Sequence, residues 1–237
     1  MTFFQTQRIP EPEVMDEAAE VEAYTSAAAQ AYLEQIDRTF LDHVARLFAG
    51  KEPRGLALDL GCGPGQIPIM MAKRWPALRI VGLDAAAHMI EQARKNAAEA
   101  KVTITFQTFR ASSSANGSGR LPFDAGTFDL VTCNSVLHHL SAPVPVLDEI
   151  ARVAKPTAAV LLRDLRRPAS AAITPHIWWY GRHYSGEMKR LYGASVRAAY
   201  TVEELGNLLA SSKLSDGRSR VFQHHRTHVG IERPALA

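Results

Sequence analysis

A loop with three glycines in five residues, Leu58-Asp59-Leu60-Gly61-Cys62-Gly63-Pro64-Gly65, constrains this chain more than any other feature. The apolar run at residues 56–60 reads as a strand ahead of it. Residues 65–75 read as a helix behind it, stopped by Pro76. A strand, a glycine-rich turn and a helix in that order form the context that a nucleotide-binding fingerprint requires. Glycines there permit a tight turn and let backbone approach a ligand closely. A plain strand-to-helix turn needs fewer of them.

The rest of the chain fits a sheet built around that loop. Short apolar runs at 79–83, 102–106, 128–133 and 158–162 alternate with helical patterns at 86–100 and 144–154, and Lys155-Pro156 reads as a turn before the fifth strand. Strands separated by helices of this length imply βαβ units. Their right-handed crossovers give a doubly wound, Rossmann-like α/β fold. Residues 220–231 supply final antiparallel strands, making a seven-stranded, mostly parallel sheet. Ahead of it, residues 1–14 read as an irregular arm and 15–49 as N-terminal helices. There Leu33, Ile36, Phe40, Val44 and Leu47 recur every three or four residues on one helix face. Residues 110–120 read as a flexible loop, and 168–200, rich in Trp and Tyr, as a helical cap inserted after the fifth strand. Thr201-Val202-Glu203-Glu204 has the capping-box form that opens a helix. The expectation is one domain over 1–237, with its cofactor-binding core at 54–165.

Composition narrows the class. With 46% hydrophobic and 22% charged residues the chain is ordinary globular material, neither disordered nor membrane-embedded. No apolar run approaches the ~20 residues that cross a bilayer. The first residues lack the pattern of a secretory signal, and two cysteines make no disulfide framework. A cytoplasmic location is expected. A net charge of +3 is too mild to imply nucleic acid as a partner, since that needs positive charge concentrated on one face. A homodimer is left open.

The spacing of the glycines discriminates between ligands. A dinucleotide loop has a glycine where this chain has Gln66. Asp59 would oppose a pyrophosphate but favour a ligand carrying ammonium and sulfonium charge. Asp84, at the end of the second strand, can accept from both ribose hydroxyls, and can equally cap the helix that follows. Further motifs follow in order: Val81-Gly82-Leu83-Asp84, Leu121-Pro122-Phe123-Asp124, Phe128-Asp129-Leu130-Val131, Asn134-Ser135-Val136-Leu137-His138-His139-Leu140, and Glu149-Ile150-Ala151-Arg152-Val153-Ala154-Lys155-Pro156. Together they resemble the class I S-adenosylmethionine (SAM)-dependent methyltransferases, in particular the type 11 group, over roughly residues 54–165.

The resemblance implies methyl transfer from SAM, giving S-adenosylhomocysteine. Asp59, Gly61 and Gly63 would hold the methionine part, with Cys62 contributing backbone rather than thiol. Asp84 would bind the ribose, Ala85 and Met89 would flank the adenine, and Asn134 would offer its carbonyl to the ammonium group. Gly65 and Ser135 complete the set, and Tyr24 would close over the cofactor or pack as a core aromatic. The chain departs from the family after the third strand. It has no Asp or Glu between Lys101 and Asp124 to accept the adenine amino group, and Arg110 or Asn116 stands there instead.

Methyl transfer from a sulfonium needs positioning above all, with a base where a hydroxyl or amine must lose a proton. His138 and His139 sit at the carboxyl end of the sheet and are the catalytic candidates; packing is the alternative. On the cap, Tyr180, His183 and Tyr184 are candidates for a small apolar or aromatic substrate. Arg163, Arg166 and Arg167 read as solvated charge or as an attractor for an acidic substrate. His224, His225 and His228 lack the partners of a metal site, so no metal is expected. Two rival readings are an RNA or protein methyltransferase and a methyltransferase-like binding subunit without activity.

Overall fold

The computed structural model describes residues 8–11, 31–110 and 119–236. Tyr24, Asn116 and the expected N-terminal helical residues before Ala31 lie outside the described residues. The first described helix, α1, spans Ala31–Leu47. Then come β1 (Gly55–Leu60), α2 (Gln66–Arg74), β2 (Leu78–Asp84), α3 (Ala87–Glu99), β3 (Thr105–Thr108), β4 (Phe128–Asn134), α4 (Pro143–Val153) and β5 (Ala154–Leu165). The cap consists of α5 (Ile173–Tyr180) and α6 (Gly186–Ala198), and α7 (Val202–Ala210), β6 (Arg220–His224) and β7 (His228–Arg233) complete the chain. Short 3-10 turns cover Leu137–His139, Ser170–Ala172 and Gly181–His183.

The seven strands form one sheet in the order β3-β2-β1-β4-β5-β7-β6. Strands β1 to β5 pair in parallel, while β7 runs antiparallel to both β5 and β6. The doubly wound, mostly parallel architecture with a cap after the fifth strand is thus the one observed. Two boundaries differ from expectation. The Lys155-Pro156 turn is absorbed into β5, where the register against β4 jumps between Phe128 and Leu130. That irregularity leaves Pro156 and Thr157 exposed, so proline's missing donor costs the ladder nothing. The third strand begins later than the apolar pattern suggests, at Thr105.

Side chains alternate across each strand, and this decides what reaches the site. Ala57, Leu130, Ala159 and Leu161 pack with Phe40 and Val44 of α1 and Met71 of α2. Leu58, Val131, Val160 and Leu162 face the opposite way, against Leu147 and Ile150 of α4 and Leu205 of α7. Two residues further along each strand, the first alternation delivers Asp59, Thr132, Asn134 and Arg163 to the α1 side, at the carboxyl ends of β1, β4 and β5. The other delivers Asp164. Helix α7 opens with the expected capping box: the Thr201 hydroxyl accepts from the Glu204 amide (3.2 Å) and the Glu204 carboxylate from the Thr201 amide (2.9 Å).

Candidate active site

The glycine loop caps the sheet at β1. Gly61, Gly63 and Gly65 all have positive φ, at +72°, +51° and +85°. A methyl group on Gly61 would overlap Val136, so only glycine fits this left-handed, close-packed position. The amides of Gly61 and Cys62 both donate to the Leu83 carbonyl, at 2.7 and 2.9 Å, which ties the loop to the end of β2. Asp84 completes that tie. One carboxylate oxygen accepts from the Gly63 amide at 2.8 Å and the other from the Ala86 amide at 2.9 Å. The Cys62 side chain is buried with Ile69, Ile90 and Phe106, and burial pushes its thiol well above the ordinary range. Cys62 therefore offers only backbone to a ligand.

Above the loop lies a cavity lined by Asp59, Gly61, Cys62, Gly63, Asn134, Ser135, His138 and His139 from the sheet side and by Tyr180 and Tyr184 from the cap. Ten of the residues singled out from sequence thus meet in one space. Ser135 holds an uncommon left-handed backbone (φ +59°) directly after β4, a strained position of the kind that concentrates at ligand sites. Gly65, Asp84, Ala85, Met89, Arg110 and His183 do not line this cavity. Asp84, Ala85 and Met89 continue from the loop along the start of α3, with Met89 buried. Arg110 is exposed just before residue 111, where the described residues break off. His183 is exposed.

Charge distinguishes the cavity. Asp59 is 2% exposed and accepts from the Thr132 hydroxyl at 2.6 Å. Burial pushes its pKa up to about 7, opposed by that hydrogen bond and reinforced by the charges of Asp84 and Asp37. Asp37 of α1, which sequence reading overlooked, also lines the cavity. Burial lifts it to about 6, with Arg163 pulling it down. Arg163 is no surface charge: it is 2% exposed, and burial lowers its pKa to about 10. Its guanidinium donates to the Asn134 side-chain oxygen (3.1 Å), the Ile36 carbonyl (3.2 Å) and the Thr39 hydroxyl (2.9 Å). Arg167 is equally internal, bound to the Ala199 carbonyl and to Glu204. Nothing in sequence spacing announces these partners, though it does bear on the face. The strand alternation that continues Ala159 and Leu161 to Arg163 would have placed Arg163 on the α1 face.

The two histidines differ in setting. His138 is 2% exposed. Its Nδ1 lies 2.5 Å from one oxygen of Asp164, whose other oxygen accepts the His138 backbone amide at 3.0 Å. Burial pulls the imidazole pKa down, but Asp164 and then Glu11 outweigh it and hold the value above the ordinary one. The His138 and His139 rings lie 4.1 Å apart. Residues 8–11 pass beside them. Arg8 donates to the His138 carbonyl at 2.6 Å and the Ala198 carbonyl at 2.6 Å, and Glu11 accepts from the Ser195 hydroxyl at 2.9 Å.

A sheet of this order, with its glycine turn at β1, an acid closing β2 and a polar cavity over the carboxyl ends, is a doubly wound α/β sheet of the Rossmann-like type. Residues 57–157 match the family model described as methyltransferase domain. The chain is 32% identical over 152 residues to a ubiquinone/menaquinone biosynthesis C-methyltransferase of Desulfotalea psychrophila, covering 64% of this chain and 58% of that protein. It is 31% identical over 135 residues to a ubiquinone biosynthesis O-methyltransferase of Alkalilimnicola ehrlichii, covering 57% and 51%. It spans about half the length of the curated relatives it matches. Among solved structures, the plantazolicin methyltransferase BpumL in complex with a triazolic desmethyl analogue and SAH superimposes with a TM-score of 0.68, at 14% identity, covering 93% of this chain and 92% of that one. Over residues 57–157 the chain is thus similar to methyltransferase domains, and its fold is shared with a methyltransferase solved with SAH.

Proposed function

We propose that this domain transfers the methyl group of S-adenosylmethionine to a small-molecule acceptor, leaving S-adenosylhomocysteine. One observation carries the reading: a buried acid, Asp59, lies under a positive-φ glycine loop at the same cavity that His138, His139 and the cap tyrosines line. The residues fit the ligand. Asp59 and Asp37 supply negative charge for an ammonium and a sulfonium, and Gly61 and Gly63 leave room for the methionine portion. Asn134, held by Arg163, presents its carboxamide, with Ser135 and Gly65 shaping the loop edges. Asp84 accepts from the ribose, and Ala85 and Met89 flank the adenine, with Arg110 at its far side. SAM supplies an activated methyl on a good leaving group, so the chain's task is to align the acceptor and exclude water. His138, oriented by Asp164, takes the acceptor's proton.

We assign residues 168–200 as the substrate cap, with Tyr180 and Tyr184 as contacts; His183 stands at its outer rim. Such a lining suits an apolar or aromatic acceptor with a polar handle. The quinone-biosynthesis relatives support that class. We place the activity in the cytoplasm, where two buried, unbridged cysteines are at home. Sedimentation will tell a monomer from the homodimer that the sequence leaves open.

Calorimetry with SAM and S-adenosylhomocysteine tests the core of the reading: both should bind, and binding of neither would sink it. Asp84→Asn should weaken SAM at least severalfold, because the ribose loses an ionised acceptor; unchanged affinity would remove Asp84 from the site. RNA binding with steep salt dependence would favour the nucleic-acid reading instead.

A further inference from the structure

We propose that Glu11, His138 and His139 form a binding site for a divalent transition-metal ion in the wall of the cavity. The inference deepens the proposed function and rests on its cavity: with an ion bound His138 is a ligand, and the ion, by acidifying a coordinated hydroxyl, takes over its part as base. It also replaces the expectation of no metal, which weighed only the three histidines near the C-terminal hairpin.

The geometry is that of donors sharing an ion. One Glu11 carboxylate oxygen lies 3.6 Å from His138 Nε2 and 3.9 Å from His139 Nδ1, and one donor atom from each of the three residues lies within 4.8 Å of the others. Both separations exceed hydrogen-bond length. Two ligands each ~2.0–2.2 Å from a common zinc-like ion stand on the order of 3.5 Å apart. The three side chains are 6%, 2% and 14% exposed, so this is not a patch of solvated surface acids.

A second, independent observation is the state of His138. Its Nε2 is buried with no hydrogen-bond partner, and it lies on the side of the ring nearest Glu11. Its Nδ1 is engaged by Asp164 at 2.5 Å. If that nitrogen carries the proton, the Nε2 lone pair is left for a ligand. A ligating imidazole whose other nitrogen is anchored by a carboxylate is the usual outer-shell arrangement of a metal site. Glu11 and the histidine turn are held in place as well. The Ser195 hydroxyl donates to the Glu11 oxygen at 2.9 Å, and Arg8 grips the carbonyls of His138 (2.6 Å) and Leu140 (3.3 Å).

Two imidazole nitrogens and one carboxylate oxygen suit Zn²⁺, Co²⁺, Fe²⁺ or Mn²⁺ better than Mg²⁺ or Ca²⁺, which prefer all-oxygen sets. Three protein ligands leave coordination positions open. Both histidines line the cavity that also contains Gly61 and Asn134, the space assigned to the acceptor. The ligand class that follows is an acceptor with a coordinating oxygen, a phenol or enol.

The test is a Co²⁺ titration of the metal-stripped full chain, followed by visible absorption and repeated with Zn²⁺ in competition against a chromophoric chelator. One equivalent should bind with the visible bands of a low-coordinate site. Glu11→Gln and His139→Asn should each weaken binding at least about tenfold, and Asp164→Asn by roughly 10–100-fold through His138. His224→Ala should change nothing. No stoichiometric binding by the parent chain, or equal affinity in Glu11→Gln, His139→Asn and the parent, would overturn the proposal. The first result would mark His138 as an imidazolium held between two carboxylates. Circular dichroism confirms that each variant is folded. Because Glu11 lies outside the sheet and its glutamine variant is isosteric, the test survives even if a histidine variant misfolds. S-adenosylhomocysteine binding, measured separately, keeps failure of the metal site distinct from failure of the methyltransferase reading.

Discussion

Asp59 shares a buried space with Asp37 and Arg163, and senses Asp84 across the glycine loop. A carboxyl lifted to about 7 by burial is half protonated near neutrality, whereas a cationic ligand needs it ionised. Cofactor binding must then expel a proton below pH 7, and affinity should fall by up to about tenfold per pH unit there. Calorimetry between pH 7.5 and 6 should follow that slope, and Asp59→Asn should bind weakly with a flatter profile. An equally steep profile in the variant would transfer the effect to Asp37. At the loop itself, Gly61→Ala should cost about 1–3 kcal/mol from its positive φ alone, before the overlap with Val136. Urea unfolding measures that loss. Gly61, Asp59 and Asp84 were legible in sequence because loop, strand and charge stand within a few residues of each other. Asp37, Arg163, Asp164 and Glu11 were not, because each acts on a partner far along the chain and no local pattern records that meeting.

Among the elements, the β6–β7 hairpin was anticipated only as a run of antiparallel strand, yet it carries a buried histidine against β5. His228 opens β7, pairs with Leu165 in register and touches the Thr227 hydroxyl at 2.8 Å. Burial, with Arg163 and His224 nearby, drives its pKa down to about 3. The unfolded chain, near the ordinary 6.5, takes up a proton that the folded chain refuses. Stability is therefore complete above pH 6.5 and declines as pH falls toward 3, by at most about 1.4 kcal/mol per unit for this one group. His224, lowered to about 4 by burial and by His225, and His43, lowered by burial, act in the same direction. Asp59, Asp37 and His138, all lifted, act in the opposite direction over the same range, so the contribution of His228 is read against the parent. Between pH 7.5 and 5.5 the urea midpoint of His228→Gln should fall less, or rise more, than that of the parent; an equal change would assign the acid-sensitive part to the other two histidines. The strands themselves were readable from their apolar alternation. What sequence hid was register, since the jump between β4 and β5 at Lys155-Pro156 depends on a partner strand rather than on the proline alone.

At the scale of the molecule, one side chain ties three parts of the fold together. Arg8 donates to the last turn of the cap helix α6 at Ala198 and to the histidine turn at His138 and Leu140, and its guanidinium lies 4.5 Å from the Tyr200 ring centroid. Surface pairs such as Glu34–Arg38 on α1 contribute at most about 1 kcal/mol. Hydrogen bonds from a charged donor to half-buried carbonyls are stronger, about 1.5–3 kcal/mol. Losing them in Arg8→Ala should lower the melting temperature by several degrees, at roughly 2–4 °C per kcal/mol for a chain of this size. The loss should be felt locally as well. Hydrogen exchange should quicken in peptides covering 134–142 and 195–200, and stay unchanged at β1 and β2 on the far side of the sheet. Arg8→Lys should not restore protection, because a single ammonium cannot span carbonyls that a planar guanidinium bridges. If exchange at 134–142 is the same in Arg8→Ala as in the parent, the turn holds its shape without the Arg8 guanidinium. The ordering of His138 and His139 must then come from Asp164 and the sheet alone.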